Sequence, residues 1–98
     1  MSDKDTKTVG GSMEEIKERH LRYLRAMNNP IRRTILRELK GGSATLEELK
    51  TGTSIDEKTL GWHLDILEWG YCVEKQIKDD RAYYLLTKEG SVVDYLDK

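Results

Sequence analysis

Three residues of the chain could act as soft metal ligands: His20, His63 and Cys72. They fall on separate segments without a paired spacing, and a structural zinc site takes about four such ligands. No metal is expected. Cys72 is the single cysteine, so no disulfide can close within the chain, which fits a reducing, cytoplasmic setting. After Gly70 it is read as a small buried hydrophobe. No nucleophile stands at a usable spacing from a base, and no Lys-Ser/Thr follows Gly41-Gly42 to make a phosphate loop. Asp79-Asp80 reads as a pair of turn formers rather than a carboxylate dyad. The chain is therefore read as a non-enzyme without a cofactor.

What remains is charge. The formal net charge is −1 although 36% of residues are charged, which argues against a strongly basic nucleic-acid coat. The distribution is uneven. Residues 17–40 carry Lys17, Arg19, Arg22, Arg25, Arg32, Arg33, Arg37 and Lys40 against Glu18 and Glu38, a net of +6. Residues 41–70 carry Lys50 and Lys58 against Glu47, Glu48, Asp56, Glu57, Asp65 and Glu68, a net of −4. Arg32, Arg33 and Arg37 are thus candidates for neutralising phosphate, with Lys75, Lys78 and Arg81 further on. The bland alternative is a solvated face paired with nearby acids.

The elements that would position these residues follow from periodicity. With 98 residues the chain is sized for one domain. Residues 1–12 are polar and read as a flexible tail; 13–98 form the domain. Met13, Ile16, His20, Leu24 and Met27, with Tyr23 beside them, make a helical stripe. Asn28-Asn29-Pro30 ends that helix and opens the next, which carries Ile31, Ile35, Leu36 and Leu39 and stops at Gly41-Gly42. Thr45 and Glu48 have the form of a capping box for a short helix. Thr51 to Ser54 reads as the turn after it. Asp56 caps a helix from Glu57 to about Trp69, with Leu60, Leu64 and Leu67 facing the core. Then the period shifts toward two. Tyr71–Ile77 and Arg81–Leu86 are strands of a hairpin, and Thr87 caps a last helix bearing Val92, Val93 and Leu96. No apolar run approaches a membrane span.

The expected fold is mainly α with a small β-hairpin, in the order helix, helix, helix, helix, hairpin, helix: a winged helix-turn-helix. The segment Asn29-Pro30-Ile31-Arg32-Arg33-Thr34-Ile35-Leu36 resembles the opening helix of ArsR-like winged-helix regulators. Leu46-Glu47-Glu48-Leu49, Thr59-Leu60, His63-Leu64 and Ile66-Leu67-Glu68 with Gly70 are similar to their helix-turn-helix. Arg81 to Gly90 is similar to their second wing strand and final helix. The likeness covers about residues 27–97.

The resemblance implies a homodimeric transcription regulator that binds palindromic double-stranded DNA, with helix 57–69 in the major groove and wing 71–86 on the backbone. The residues placed at DNA are Arg32, Arg33, Arg37, Lys58, Thr59, Trp62, His63, Lys75, Lys78 and Arg81. The stripe from Met13 to Met27 has no place in the minimal winged-helix core, so it either folds back on its own domain or packs against the same helix of a second chain; the dimer is preferred, and Ile16, His20, Tyr23, Leu24, Met27, Val92, Tyr95 and Leu96 are placed at its interface. A small-molecule effector is compatible with the fold, but no residue set identifies one. The sequence departs from its relatives in four ways. The exposed positions early in the reading helix are Glu57, Lys58, Thr59, Gly61 and Trp62 where relatives tend to carry Ser, Thr, Lys and Arg, and a Glu57 carboxylate is repelled by phosphate. The turn before the reading helix is about two residues longer. Trp62 stands where they often carry Arg. Trp62, Ile66 and Trp69 form a second apolar stripe, which calls for packing on two sides. Those departures motivate a second reading: a winged-helix protein-protein interaction module that has lost sequence-specific DNA readout.

Overall fold

The computed structural model describes residues 12–93. Most of the expected tail, the later part of the last helix, and Tyr95 and Leu96 lie outside the described residues.

Helix α1 spans Met13–Met27. Ser12 caps it: its side chain accepts from Glu15 N–H while the Glu15 carboxylate accepts from Ser12 N–H, at 3.1 Å each. Asn29 ends the connection and caps α2, Pro30–Leu39, by accepting from the N–H groups of Ile31 and Arg32. Pro30 costs this helix no hydrogen bond, because a first-turn N–H has no intrahelical partner. Thr45 and Glu48 form the expected reciprocal box at the start of α3, Leu46–Thr53.

Helix α3 runs on through Gly52, which had read as part of a turn. Two features explain this. The stop is supplied by Ser54 in the left-handed region (φ 62°), and the helix backbone at Gly52 lies against the end of the Glu38 side chain of α2, which a Cβ there would displace. The link between α3 and α4 is therefore Ser54-Ile55-Asp56, an ordinary helix-turn-helix length, and the expected two-residue extension is corrected. Asp56 caps α4, Glu57–Trp69, through a bond from Thr59 N–H at 3.1 Å, and hydrogen bonding from the Thr59 side chain first, then from its N–H, lowers the Asp56 carboxyl pKa.

After α4 the chain passes Tyr71, a non-glycine residue at φ 66°, into β1 (Val73–Lys78) and β2 (Arg81–Leu86). The strands pair antiparallel with Lys78 opposite Arg81. Asp79 and Asp80, both at positive φ, make the two-residue turn. Ala44, just before α3, bridges to Tyr84 through two backbone bonds of 3.0 and 2.8 Å and ties the hairpin to the helices. Thr87 then accepts from Gly90 N–H at 3.0 Å, opening a 3-10 turn over Gly90–Val92.

The core lies where α2, α3 and α4 meet under the base of the hairpin. Ile35, Leu36, Leu49, Leu60, Leu64 and Leu67 are fully buried, each contributing roughly 1.5–3 kcal/mol relative to exposure. Cys72 is buried among them and its thiol pKa is pushed up to about 12, chiefly by burial. Helix α1 crosses the end of α4, where Gly70 meets Ala26 and the Arg22 carbonyl so closely that a Cβ has no room.

Candidate nucleic-acid interface

Helix α4 is the second helix of the helix-turn-helix. Its inner side is fixed by Leu60, Leu64 and Leu67, which leaves Lys58, Trp62, Asp65 and Trp69 exposed at helical spacing on the opposite side. Thr59 is half-buried beside that face. Trp62 keeps 60% of its surface exposed and Trp69 keeps 40%, with Ile66 half-buried. The apolar stripe expected to pack on two sides thus leaves both indoles largely at the surface. The Arg22 guanidinium of α1 reaches Trp69, 5.3 Å from the ring centroid.

The wing stands next to this helix. Lys75, Lys78 and Arg81 are all exposed on it. Lys75 Nζ lies 5.9 Å from the centroid of the Tyr84 ring.

Two residues expected at DNA do not face solvent. Arg32 is 8% exposed and His63 4%. The Arg32 guanidinium donates through Nε to Ala26 O at 2.9 Å and through Nη2 to Arg25 O at 3.2 Å. Its Nη1 lies 3.3 Å from His63 Nδ1. An arginine only donates, so Nδ1 accepts and the imidazole proton resides on Nε2. Burial, and then the neighbouring guanidinium, lower the His63 pKa. Arg32 and His63 are therefore an internal strut between the α1–α2 connection and α4. Their assignment to DNA contact is corrected because neither has an accessible charged edge.

The basic stretch 17–40 is also partly committed within the chain. Arg19 pairs with Glu89 at 2.9 Å and stacks 3.9 Å from the Tyr71 ring centroid. Arg22 pairs with Glu18 and reaches the Tyr71 hydroxyl. Arg33 donates to Met27 O at 2.8 Å. Arg25 and Arg37 are exposed. The clasp of Arg19, Arg22, Trp69 and Tyr71 was not read from sequence, since its partners lie some fifty residues apart and carry no shared motif.

On α1, Ile16, Leu21 and Leu24 are about half exposed and Met13 more so. His20 is exposed with its ring stacked on Tyr23, which is half-buried. Met27 departs from the expected dimer face: it is 3% exposed and belongs to the chain's own core. Val92 is half-buried against that core. Among the described residues, no group of three His, Cys, Asp or Glu side chains converges on a metal position, and no helix is long and apolar enough to cross a membrane.

No family model and no curated protein matches the chain. Solved structures do. A homodimeric winged helix-turn-helix DNA-binding domain from Mycobacterium bovis, described as a possible ArsR-family transcriptional regulator, superposes with a TM-score of 0.76 at 25% identity, covering 91% of this chain and 86% of its own. NolR from Sinorhizobium fredii gives 0.69 at 28% identity, over 87% of this chain and 86% of that one. The transcriptional repressor PagR of Bacillus anthracis gives 0.75 at 20% identity, over 86% and 99%, a likeness of fold. Four helices in this order, a hairpin after the second helix of the helix-turn-helix, and these neighbours make the chain an ArsR-like winged helix-turn-helix protein, similar to transcription regulators.

Proposed function

We propose that the chain binds double-stranded DNA as a homodimer and regulates transcription, with α4 in the major groove and the wing along the backbone. The observation that carries this reading is the outward face of α4. It is uncovered at Lys58 and Trp62, while Leu60, Leu64 and Leu67 hold the helix rigidly from behind. The major groove admits a helix of this kind. Lys75, Lys78 and Arg81 on the wing, with Arg33 and Arg37 on α2, supply phosphate contacts, and Lys58 and Thr59 lie nearest the bases. Arg32 and His63 act behind this surface rather than on it.

The dimer forms through Ile16, His20, Tyr23 and Leu24 of α1, with Val92 toward the other end of the chain. Exposed apolar side chains in a row on one helix are costly in a monomer and are covered by a two-fold related copy. Such a pair sets two reading helices about 34 Å apart, one DNA turn. In this reading the chain is a cytoplasmic non-enzyme. A homodimeric DNA-binding domain among its structural neighbours supports it.

Fluorescence anisotropy of a labelled duplex, titrated at several salt concentrations, tests this. Binding should weaken linearly in log–log form as counterions compete. Absence of binding even at low salt contradicts the reading.

A further inference from the structure

Trp62 sits in the second turn of α4, one turn after Lys58 on the outward face. It is 60% exposed, a large apolar surface facing water. Its position is defined from below: the indole meets the His63 ring edge-on at 4.9 Å and 64°, and His63 is held by Arg32. Beside it, Gly61 leaves open space, since a Cβ there would have no atom within 4 Å. The indole is thus a largely apolar projection, with a single N–H donor, resting on His63 and with clearance next to it.

The same face offers few groups for hydrogen-bond readout. Lys58 can donate to a purine edge, and Asp65 can only accept. A major groove presents one apolar feature among its donors and acceptors, the C5-methyl group of thymine.

We propose that Trp62 reads thymine, packing its indole on the C5-methyl group of one A·T pair in each half-site. The inference rests on the DNA-binding reading above. Lys58 secures the neighbouring phosphate or purine, and Gly61 gives the adjoining base pair room to approach the helix backbone. Asp65, one turn on, disfavours guanine, whose major-groove edge only accepts.

The test begins with duplexes enriched from a random pool by the full-length protein. Each thymine is then replaced singly by uracil, which removes the methyl group and leaves base pairing intact. One position per half-site should bind roughly fourfold more weakly, the loss of about one buried methyl group. Trp62→Ala should bind the thymine and uracil duplexes equally. Its phosphate contacts are untouched, so binding remains measurable at low salt. Lys58→Ala should weaken both duplexes while preserving their ratio. If no thymine depends on its methyl group, or if the dependence survives in Trp62→Ala, the proposal is overturned while DNA binding stands. If no duplex is enriched and low-salt binding is absent, both fail together. If Trp62→Ala instead releases a bound protein and leaves DNA affinity unchanged, Trp62 is a protein contact.

Discussion

Arg32 Nη1 and His63 Nδ1 stand 3.3 Å apart beneath the surface, the one on α2 and the other on α4. Because Arg32 also holds the carbonyls of Ala26 and Arg25, this pair fixes the orientation of α4 relative to the end of α1. Helix α4 is thereby held from behind by a hydrogen-bond chain as well as by leucine packing.

The pair makes stability depend on pH in a defined direction. The folded His63 pKa lies below its ordinary 6.5, through burial first and the Arg32 charge second. Below that ordinary value the unfolded chain takes up a proton that the folded chain does not, so stability is full above it and is lost as pH falls toward the folded pKa. Thermal melts between about pH 7 and pH 5 should show this decline. His63→Asn, which keeps an acceptor near Nδ1, should flatten it. The lowered Asp56 and Glu89 carboxyls act in a more acidic range. A His63→Asn slope as steep as wild type would remove His63 from the explanation.

Arg32 and Lys78, both expected at DNA, should behave oppositely. Arg32→Ala strips charged partners from two carbonyls and should cost roughly 2–4 kcal/mol in urea unfolding. Lys78→Ala, at an exposed wing position, should change stability by less than about 0.5 kcal/mol and lower the salt slope of DNA binding by about one. Equal effects of the two on stability would contradict the strut.

Two glycines, one inside α4 and one capping its C-terminus, give a second contrast. Gly70→Ala would push a methyl group into Ala26 and to 2.8 Å from the Arg22 carbonyl, at a cost of about 1–3 kcal/mol. Gly61→Ala meets nothing and should stabilise α4 by roughly 0.5–1 kcal/mol, because alanine loses less entropy in a helix. Denaturation midpoints of the two variants settle both signs.

Much of this architecture was legible from residue types at short range. Thr45 with Glu48, and Asp56, each satisfied helix N–H groups where expected, and Pro30 opens α2 as expected. The asparagines do not end α1 in the left-handed region as expected: Asn28 has φ −83° and Asn29, extended at φ −161°, caps α2 instead. Ser12 with Glu15 has the same S-x-x-E signature as a capping box and could have been read from it. The shortfalls were tertiary. Gly52 looks like a stop, but its bare backbone serves the approach of Glu38, and Ser54 does the stopping. Arg32 advertises charge in the sequence, yet where its guanidinium turns depends on carbonyls freed at the end of another helix. Met27, in step with the α1 surface stripe, also turns inward, packing into the apolar core.

The α1 stripe leads to a prediction about assembly. Ile16→Glu and Leu24→Glu place charges on positions that are 50% and 46% exposed, so a monomer should tolerate them. Light scattering should show the wild type as a dimer and the double variant as a folded monomer with an unchanged helical spectrum. A wild-type monomer at micromolar concentration would place the interface elsewhere or deny it.

Selection of duplexes from a random pool by the full-length protein tests the dimeric DNA reading most directly. A two-fold pair of α4 helices should enrich an inverted repeat whose half-site centres lie about 10 base pairs apart, with the double α1 variant binding it far more weakly. Recovery of sequences with no shared motif, or of a single unpaired half-site bound equally well by the variant, would contradict it.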